Sequence, residues 1–147
     1  MSRIKIHDKE FEVSIPREEI LKEVKRVADE INRDYAGKCP LLLGVLNGCF
    51  MFAADLMRNL NIECEISFVK LSSYQGTTTT GVIREVLGLA ESITGRDVII
   101  VEDIVDTGYT MQRMIESLGT REPASLQIAS LFLKPARLKV PVDVKYS

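Results

Sequence analysis

From Val101 to Thr110 the chain reads Val-Glu-Asp-Ile-Val-Asp-Thr-Gly-Tyr-Thr. Three carboxylates (Glu102, Asp103 and Asp106) and a Thr107-Gly108-Tyr109-Thr110 turn are thus concentrated in one short stretch. Asp106 and Thr107 are good helix N-cap types, and capping is an ordinary use for them. It leaves Glu102 and Asp103 unexplained. Two adjacent acids that close an apolar strand are costly to desolvate unless a cation or hydroxyl donors satisfy them, so the pair suits a divalent metal or a sugar diol. The turn that follows offers backbone N–H groups, two hydroxyls and a helix N-terminus, which together suit a phosphate. Acids for a diol or a metal beside a phosphate cradle describe a site for a phosphorylated ribose.

Other chemistries have less to build on. Neither Gly-x-Gly-x-x-Gly nor a Gly-Lys-Ser/Thr loop is present, so dinucleotide and P-loop readings lack their signatures. His7 is the only histidine and sits among charged residues, which disfavours a histidine triad or a zinc site. Cys39, Cys49 and Cys64 are an odd set without a Cys-x-x-Cys pair, which points to reduced thiols acting as small hydrophobes rather than to a disulfide scaffold.

Alternating strands and helices must position these groups. Pro16 to Gly37 reads as a long helix, with Ile20, Leu21, Val24, Val27, Ala28 and Ile31 at helical spacing and charges on the other face. Leu41–Leu46 and Val98–Val101 are apolar runs without alternation, typical of parallel strands buried on both faces. Asn47-Gly48-Cys49 turns into a second helix with Phe50, Ala53, Ala54 and Met57 as its expected apolar stripe. Ile62 to Leu71 is the next strand, with Ile62, Cys64, Ile66 and Phe68 expected on one face. A polar connection follows at Ser72–Gly81, then a short strand at Val82–Leu87. Met111 to Leu118 reads as a helix ending at Gly119, and Ala124 to Leu133 as a last strand. This order predicts one α/β domain: an open, mainly parallel sheet with helices on both faces. Ligands in such sheets bind beyond the carboxyl ends of the strands, where the acidic stretch lies.

The composition agrees with a single domain. The chain has 147 residues, 46% hydrophobic and 27% charged, with a net charge of −2 and a pI near 5.5. An overall acidic balance argues against a nucleic-acid partner. No apolar run approaches the ~18 residues of a membrane span, and the N-terminus lacks a long apolar stretch, so a cytoplasmic setting is expected.

The Val101–Thr110 segment resembles the phosphoribosyl pyrophosphate (PRPP) signature of the type I phosphoribosyltransferases. From the first helix to about Ser147, the chain resembles the hypoxanthine (hypoxanthine–guanine) members of that family. The resemblance implies purine salvage: hypoxanthine and/or guanine plus PRPP give IMP or GMP plus pyrophosphate, with Mg2+ as cofactor. It implies that Glu102 and Asp103 hold the ribose hydroxyls, directly or through Mg2+. Asp106 would act as general base at the purine N7, and Asp106, Thr107, Gly108, Tyr109 and Thr110 would cradle the 5′-phosphate. Leu46-Asn47-Gly48 matches the pyrophosphate loop, where many relatives carry a lysine in place of Asn47, so backbone recognition is expected. Lys134 corresponds to the lysine that donates to the purine 6-oxo group, and Arg137 to an arginine that reaches pyrophosphate. The connection at about 72–81 matches a mobile loop, with Ser73 and Tyr74 contributing to the closed site. A homodimer or homotetramer is the family habit. Relatives continue past the position of Ser147 with a strand, a purine-stacking aromatic and a further metal-binding aspartate, so a C-terminal part is expected to be missing, the more so as Val142–Val144 reads as a strand beginning. Two alternatives stay open at this point: a regulator with this fold that binds RNA or nucleotide effectors, and a transferase for another base such as xanthine.

Overall fold

The computed structural model describes residues 3–6, 9–12, 17–46, 48–75, 82–87, 92–105, 108–133 and 143–147. Within them the elements run β1 (Arg3–Ile6), β2 (Lys9–Glu12), α1 (Arg17–Asp34), β3 (Leu41–Leu46), α2 (Phe50–Asn59), β4 (Glu65–Gln75), β5 (Val82–Leu87), β6 (Asp97–Val105), α3 (Tyr109–Gly119) and β7 (Ser125–Leu133). β1 and β2 pair as a separate antiparallel hairpin, and the main sheet has the order β5-β4-β3-β6-β7. β3, β4, β6 and β7 are parallel, and β5 is antiparallel on the edge beside β4.

The apolar runs of β3 and β6 are explained by burial from two sides. Leu41, Leu43 and Val45 pack with Val98, Ile100, Ile128 and the α3 residues Met111, Met114 and Leu118. Leu42 faces the other way, with Ile99, Val101, Ala129, the α1 residues Val24, Val27, Ala28 and Ile31, and the α2 residues Phe52, Ala53 and Leu56. Helices α1 and α2 therefore cover one face and α3 the other. Each fully buried leucine of β3 contributes about 1.5–3 kcal/mol relative to exposure.

Several expected boundaries shift. α1 stops at Asp34, and the turn after it reaches a left-handed Gly37 (φ 77°). In α2 the buried positions are Phe52, Ala53 and Leu56, not the stripe expected from Phe50, Ala53, Ala54 and Met57. Phe50 is 61% exposed, because Cys49, buried at the helix start, sets the rotation of the first turn. Among the described side chains of β4, at 65–70, the buried one is Val69, while Phe68 is 39% exposed. β4 also runs on to Gln75, pairing Ser73 with Arg84 and Tyr74 with Ile83. The first part of the expected 72–81 connection is therefore strand, and residues 76–81 lie outside the described residues.

From β3 the chain passes through α2 to β4 on one side, and from β6 through α3 to β7 on the other. The switch point of the sheet thus lies between β3 and β6, where open α/β sheets bind ligands. At the far edge Tyr146 makes a parallel bridge to Ala129, past the expected strand start at Val142–Val144. The Tyr146 hydroxyl donates to Asp34 Oδ2 at 2.7 Å, tying the end of the chain to the end of α1.

Candidate active site

β3 and β6 are in register from Leu41–Val98 to Gly44–Val101, and their pairing stops there. Beyond it β3 continues through Val45 and Leu46 into the turn before α2, while β6 continues through Glu102, Asp103, Ile104 and Val105. The two carboxyl ends thus border a crevice. The alternation in β6 breaks at the same place: Ile99 and Val101 belong to the α1/α2 face, whereas Val105 joins the α3 face with Val98 and Ile100. Glu102 and Asp103, expected after the strand, lie inside it at this break.

The crevice is narrow at Gly48. A Cβ on Gly48 would lie 2.8 Å from Asp103 Oδ1 and 3.0 Å from its Cγ and Oδ2, so the carboxylate rests directly on the glycine Cα. Asp103 Oδ1 accepts the Ile104 N–H at 2.8 Å, and Glu102 Oε1 accepts the Asp103 N–H at 3.0 Å. Each acid is thereby held against its own backbone. Burial pushes the Glu102 carboxyl up to about 8, and its hydrogen bond with the Asp103 side chain adds to that rise. At neutral pH the Glu102 carboxyl therefore tends to keep its proton.

Under the turn, Cys49 is buried at the start of α2. Its N–H donates to the Val45 carbonyl at 3.2 Å, and its carbonyl accepts the Ala53 N–H at 2.7 Å. Burial, reinforced by the negative charge of Glu102 and then Asp103, pushes its thiol up to about 11, so it stays protonated and acts as packing. The thiol and the Phe68 ring fill the space beside Gly44, where a Cβ would meet Sγ at 2.9 Å and Phe68 Cδ1 at 2.8 Å.

After β6, α3 starts at Gly108, a buried residue in the left-handed region (φ 92°) that other side chains adopt only with strain. The Gly108 carbonyl accepts the Gln112 N–H at 2.9 Å. Tyr109 and Thr110 form the first helical turn rather than a loop before it, and Tyr109 is 53% exposed. A helix N-terminus that follows the acidic strand end in the chain carries the dipole that suits a phosphate. Leu46, Gly48, Glu102, Asp103, Gly108, Tyr109 and Thr110 thus all fall at the carboxyl ends of β3 and β6. Asn47, Asp106, Thr107, Lys134 and Arg137 lie outside the described residues, as do the side chains of Ser73 and Tyr74. Ile104 was not foreseen: an isoleucine next to Val105 reads as core, yet it is 41% exposed.

The acidic pair fits a divalent cation. Among the described residues no group of three or more histidine, cysteine, aspartate or glutamate side chains could hold a metal. Mg2+ commonly takes only one or two protein carboxylates and completes its shell with water and substrate phosphates, and Glu102 and Asp103 are such a pair.

A switch-point crevice with adjacent acids on one strand end, a glycine turn on the other and a helix that starts just after the acids is the arrangement of a phosphoribosyl-transferring domain. The phosphoribosyl transferase domain family matches residues 16–147, and the chain belongs to it. Its relatives narrow the group to the hypoxanthine and hypoxanthine–guanine phosphoribosyltransferases. It is 41% identical over 130 residues to a hypoxanthine-guanine phosphoribosyltransferase of Streptococcus mutans, covering 88% of this chain and 72% of that one. It is 42% identical over 138 residues to a hypoxanthine phosphoribosyltransferase of Salmonella typhimurium, covering 92% and 78%. Among solved structures, a hypoxanthine-guanine phosphoribosyltransferase of Bacillus anthracis superposes with a TM-score of 0.82 at 35% identity, covering 92% of this chain and 81% of that chain. The Trypanosoma cruzi hypoxanthine enzyme in complex with the product IMP superposes at 0.79 with 39% identity, covering 88% and 74%.

Proposed function

We propose that the protein is a purine-salvage glycosyltransferase that converts hypoxanthine and/or guanine plus PRPP to IMP or GMP plus pyrophosphate. The observation that carries this reading is the Glu102–Asp103 pair, with Asp103 against Gly48, at the switch point, in a chain about 40% identical to hypoxanthine phosphoribosyltransferases over most of its length.

In the proposed reaction the purine N9 forms a bond to ribose C1′. The bond from C1′ to the pyrophosphate oxygen breaks, and its electron pair leaves with pyrophosphate. Asp106 takes the N7 proton as the new bond forms, a general-base role that requires reach to N7. Glu102 and Asp103 bind the ribose hydroxyls and hold Mg2+, which when bound neutralises phosphate charge. Asp106, Thr107, Gly108, Tyr109 and Thr110 cradle the 5′-phosphate through backbone N–H groups and hydroxyls. Leu46, Asn47 and Gly48 bind pyrophosphate through the backbone, and Arg137 reaches it with its guanidinium. Lys134 donates to the 6-oxo group, which favours hypoxanthine or guanine over adenine because an ammonium cannot accept a hydrogen bond. Ser73 and Tyr74 belong to the lid that excludes water from the oxocarbenium-like state. Exposed Phe50 and Met51 on α2, at 61% and 66%, support self-association as a homodimer or homotetramer. No helix among the described residues is long and apolar enough to cross a membrane, in keeping with a cytoplasmic enzyme acting on small molecules.

A steady-state assay with PRPP, Mg2+ and hypoxanthine, guanine, xanthine or adenine tests the reading. Turnover of 6-oxopurines is expected. PRPP binding without turnover of any base would replace it with a regulatory role for the same fold.

A further inference from the structure

Ser130 is the one buried polar side chain among the described residues, at 0% exposure. It lies in the middle of β7, between Glu102 of β6 on one side and the Tyr146 bridge on the other: its N–H donates to the Tyr146 carbonyl at 2.7 Å. A hydroxyl in so closed a place is costly to desolvate and must be bonded to be tolerated. Ser130 Oγ lies 2.7 Å from the Phe132 carbonyl oxygen and 3.4 Å from that of Asp103. Its single proton goes mainly to the nearer oxygen, while the hydroxyl faces both. The ladder pairs Glu102 with Ser130 and Ile104 with Phe132, which places this hydroxyl beside the backbone of Asp103.

We propose that Ser130 is a positioning residue for the transferase site: its buried hydroxyl, bonded to the Phe132 carbonyl and 3.4 Å from that of Asp103, holds the carboxyl end of β7 in place beside the carboxyl end of β6. This rests on the function proposed above, in which Asp103 binds ribose and metal and Lys134, two residues beyond Phe132, reads the purine. The hydroxyl touches neither substrate. It holds constant the offset between the strand end that grips the sugar and the one that presents the base. An alanine or valine would fill a sheet interior without the desolvation cost, so packing alone does not account for a serine here.

The test compares Ser130→Thr with Ser130→Val, which match in shape and differ in the hydroxyl, alongside Ser130→Ala. Two quantities are read: KM and kcat for PRPP and for hypoxanthine, and amide exchange at the ends of β6 and β7 by mass spectrometry. Ser130→Val and Ser130→Ala are expected to raise both KM values about three- to tenfold, the loss of one net hydrogen bond, with kcat within about twofold on the same scale. Ser130→Thr should stay near wild type. Exchange at residues 102–105 and 131–133 should rise in the valine variant and not in the threonine one. Equal behaviour of the threonine and valine variants would overturn the proposal, because volume and not the hydroxyl would then matter. So would a fall in melting temperature with both KM values and local exchange unchanged. If wild type turned over no base, the functional reading would fail, while the exchange comparison would still decide whether the hydroxyl pins the two strand ends.

Discussion

Replacing Gly48 by alanine separates the role of the acidic pair from the stability of its frame. Gly48 is solvent-exposed and its φ lies outside the left-handed region, so alanine meets no backbone penalty. The obstacle is Asp103: an alanine Cβ would lie 2.8 Å from Oδ1, and ordinary contact begins near 3.4 Å, so about 0.6 Å must be opened (3.4 − 2.8). Oδ1 is held by the Ile104 N–H at 2.8 Å, so the carboxylate either loses that bond or the turn lifts from it. Either way the separation between the acids and the turn proposed to bind pyrophosphate changes. A misplacement of ~1 Å can cost about a hundredfold in rate, so Gly48→Ala should lower kcat/KM for PRPP about tenfold by the same scaling. Its stability cost should stay under about 1 kcal/mol, as for most exposed positions. Gly44→Ala is the control. There the added Cβ meets the Phe68 ring and the Cys49 thiol inside the core, an overpacking of about 1–3 kcal/mol, or roughly 3–10 °C in Tm for a chain of this size. Steady-state kinetics and thermal melts on both variants decide the matter. A Gly48→Ala enzyme with wild-type kcat/KM for PRPP would refute the coupling of Gly48 to Asp103, and one that melted as early as Gly44→Ala would make Gly48 a structural residue.

Three further outcomes are expected. Asp106→Asn should reduce kcat about a hundredfold or more, as for loss of a general base, with PRPP affinity by calorimetry nearly unchanged. Lys134→Ala should raise KM for hypoxanthine about tenfold or more, the loss of a charged hydrogen bond, and leave KM for PRPP alone. Asp34→Asn tests the Tyr146 anchor. The Tyr146 hydroxyl, with Arg33 and Lys145 nearby, holds the Asp34 carboxyl below its usual 3.8 against the opposing effect of desolvation. A depressed folded pKa means that the ionised form stabilises above the unfolded value and that this contribution is lost as pH falls through the folded one. The substitution should cost about 1 kcal/mol in urea melts at pH 7, discounted for partial exposure, and the gap to wild type should close on acidification below 3.8.

How much of this was legible in the sequence follows from how each segment is buried. β3 and β6 could be read directly, because a strand covered on both faces must be apolar at every position, as Leu41–Val45 and Val98–Val101 are. The phase of α2 could not. Its first residues offer Phe50, Met51 and Phe52 in a row, and only the close fit of Cys49 and Phe68 around Gly44 decides which of them turns inward. β4 was read short because Ser72, Ser73 and Gln75 look like loop, whereas an antiparallel edge partner satisfies their backbone whatever the side chains. The β1–β2 hairpin passed unnoticed, although its register sets Arg3 opposite Glu12 and Lys5 opposite Glu10. At the site, residue types alone single out Glu102 and Asp103 and the Thr107–Thr110 segment. The contact between Gly48 and Asp103 joins residues 55 positions apart (103 − 48), and no local pattern carries it.

That contact accounts for why the acids belong on this strand. Where β3 and β6 stop pairing after Gly44 and Val101, their next peptide groups and side chains need other partners. Two acids placed there partly satisfy the backbone by accepting the Asp103 and Ile104 N–H groups, but burial, with the neighbouring Asp103 adding to it, pushes the Glu102 carboxyl up to about 8. The crevice thus sets two acids side by side, with Asp103 against a glycine that keeps the opposite wall within contact distance. A cation brought to them by a ligand favours the ionised Glu102 carboxylate that burial opposes. Apolar β6 and β7 fix that geometry from below, and Ser130 is the one polar side chain the described core admits to do so.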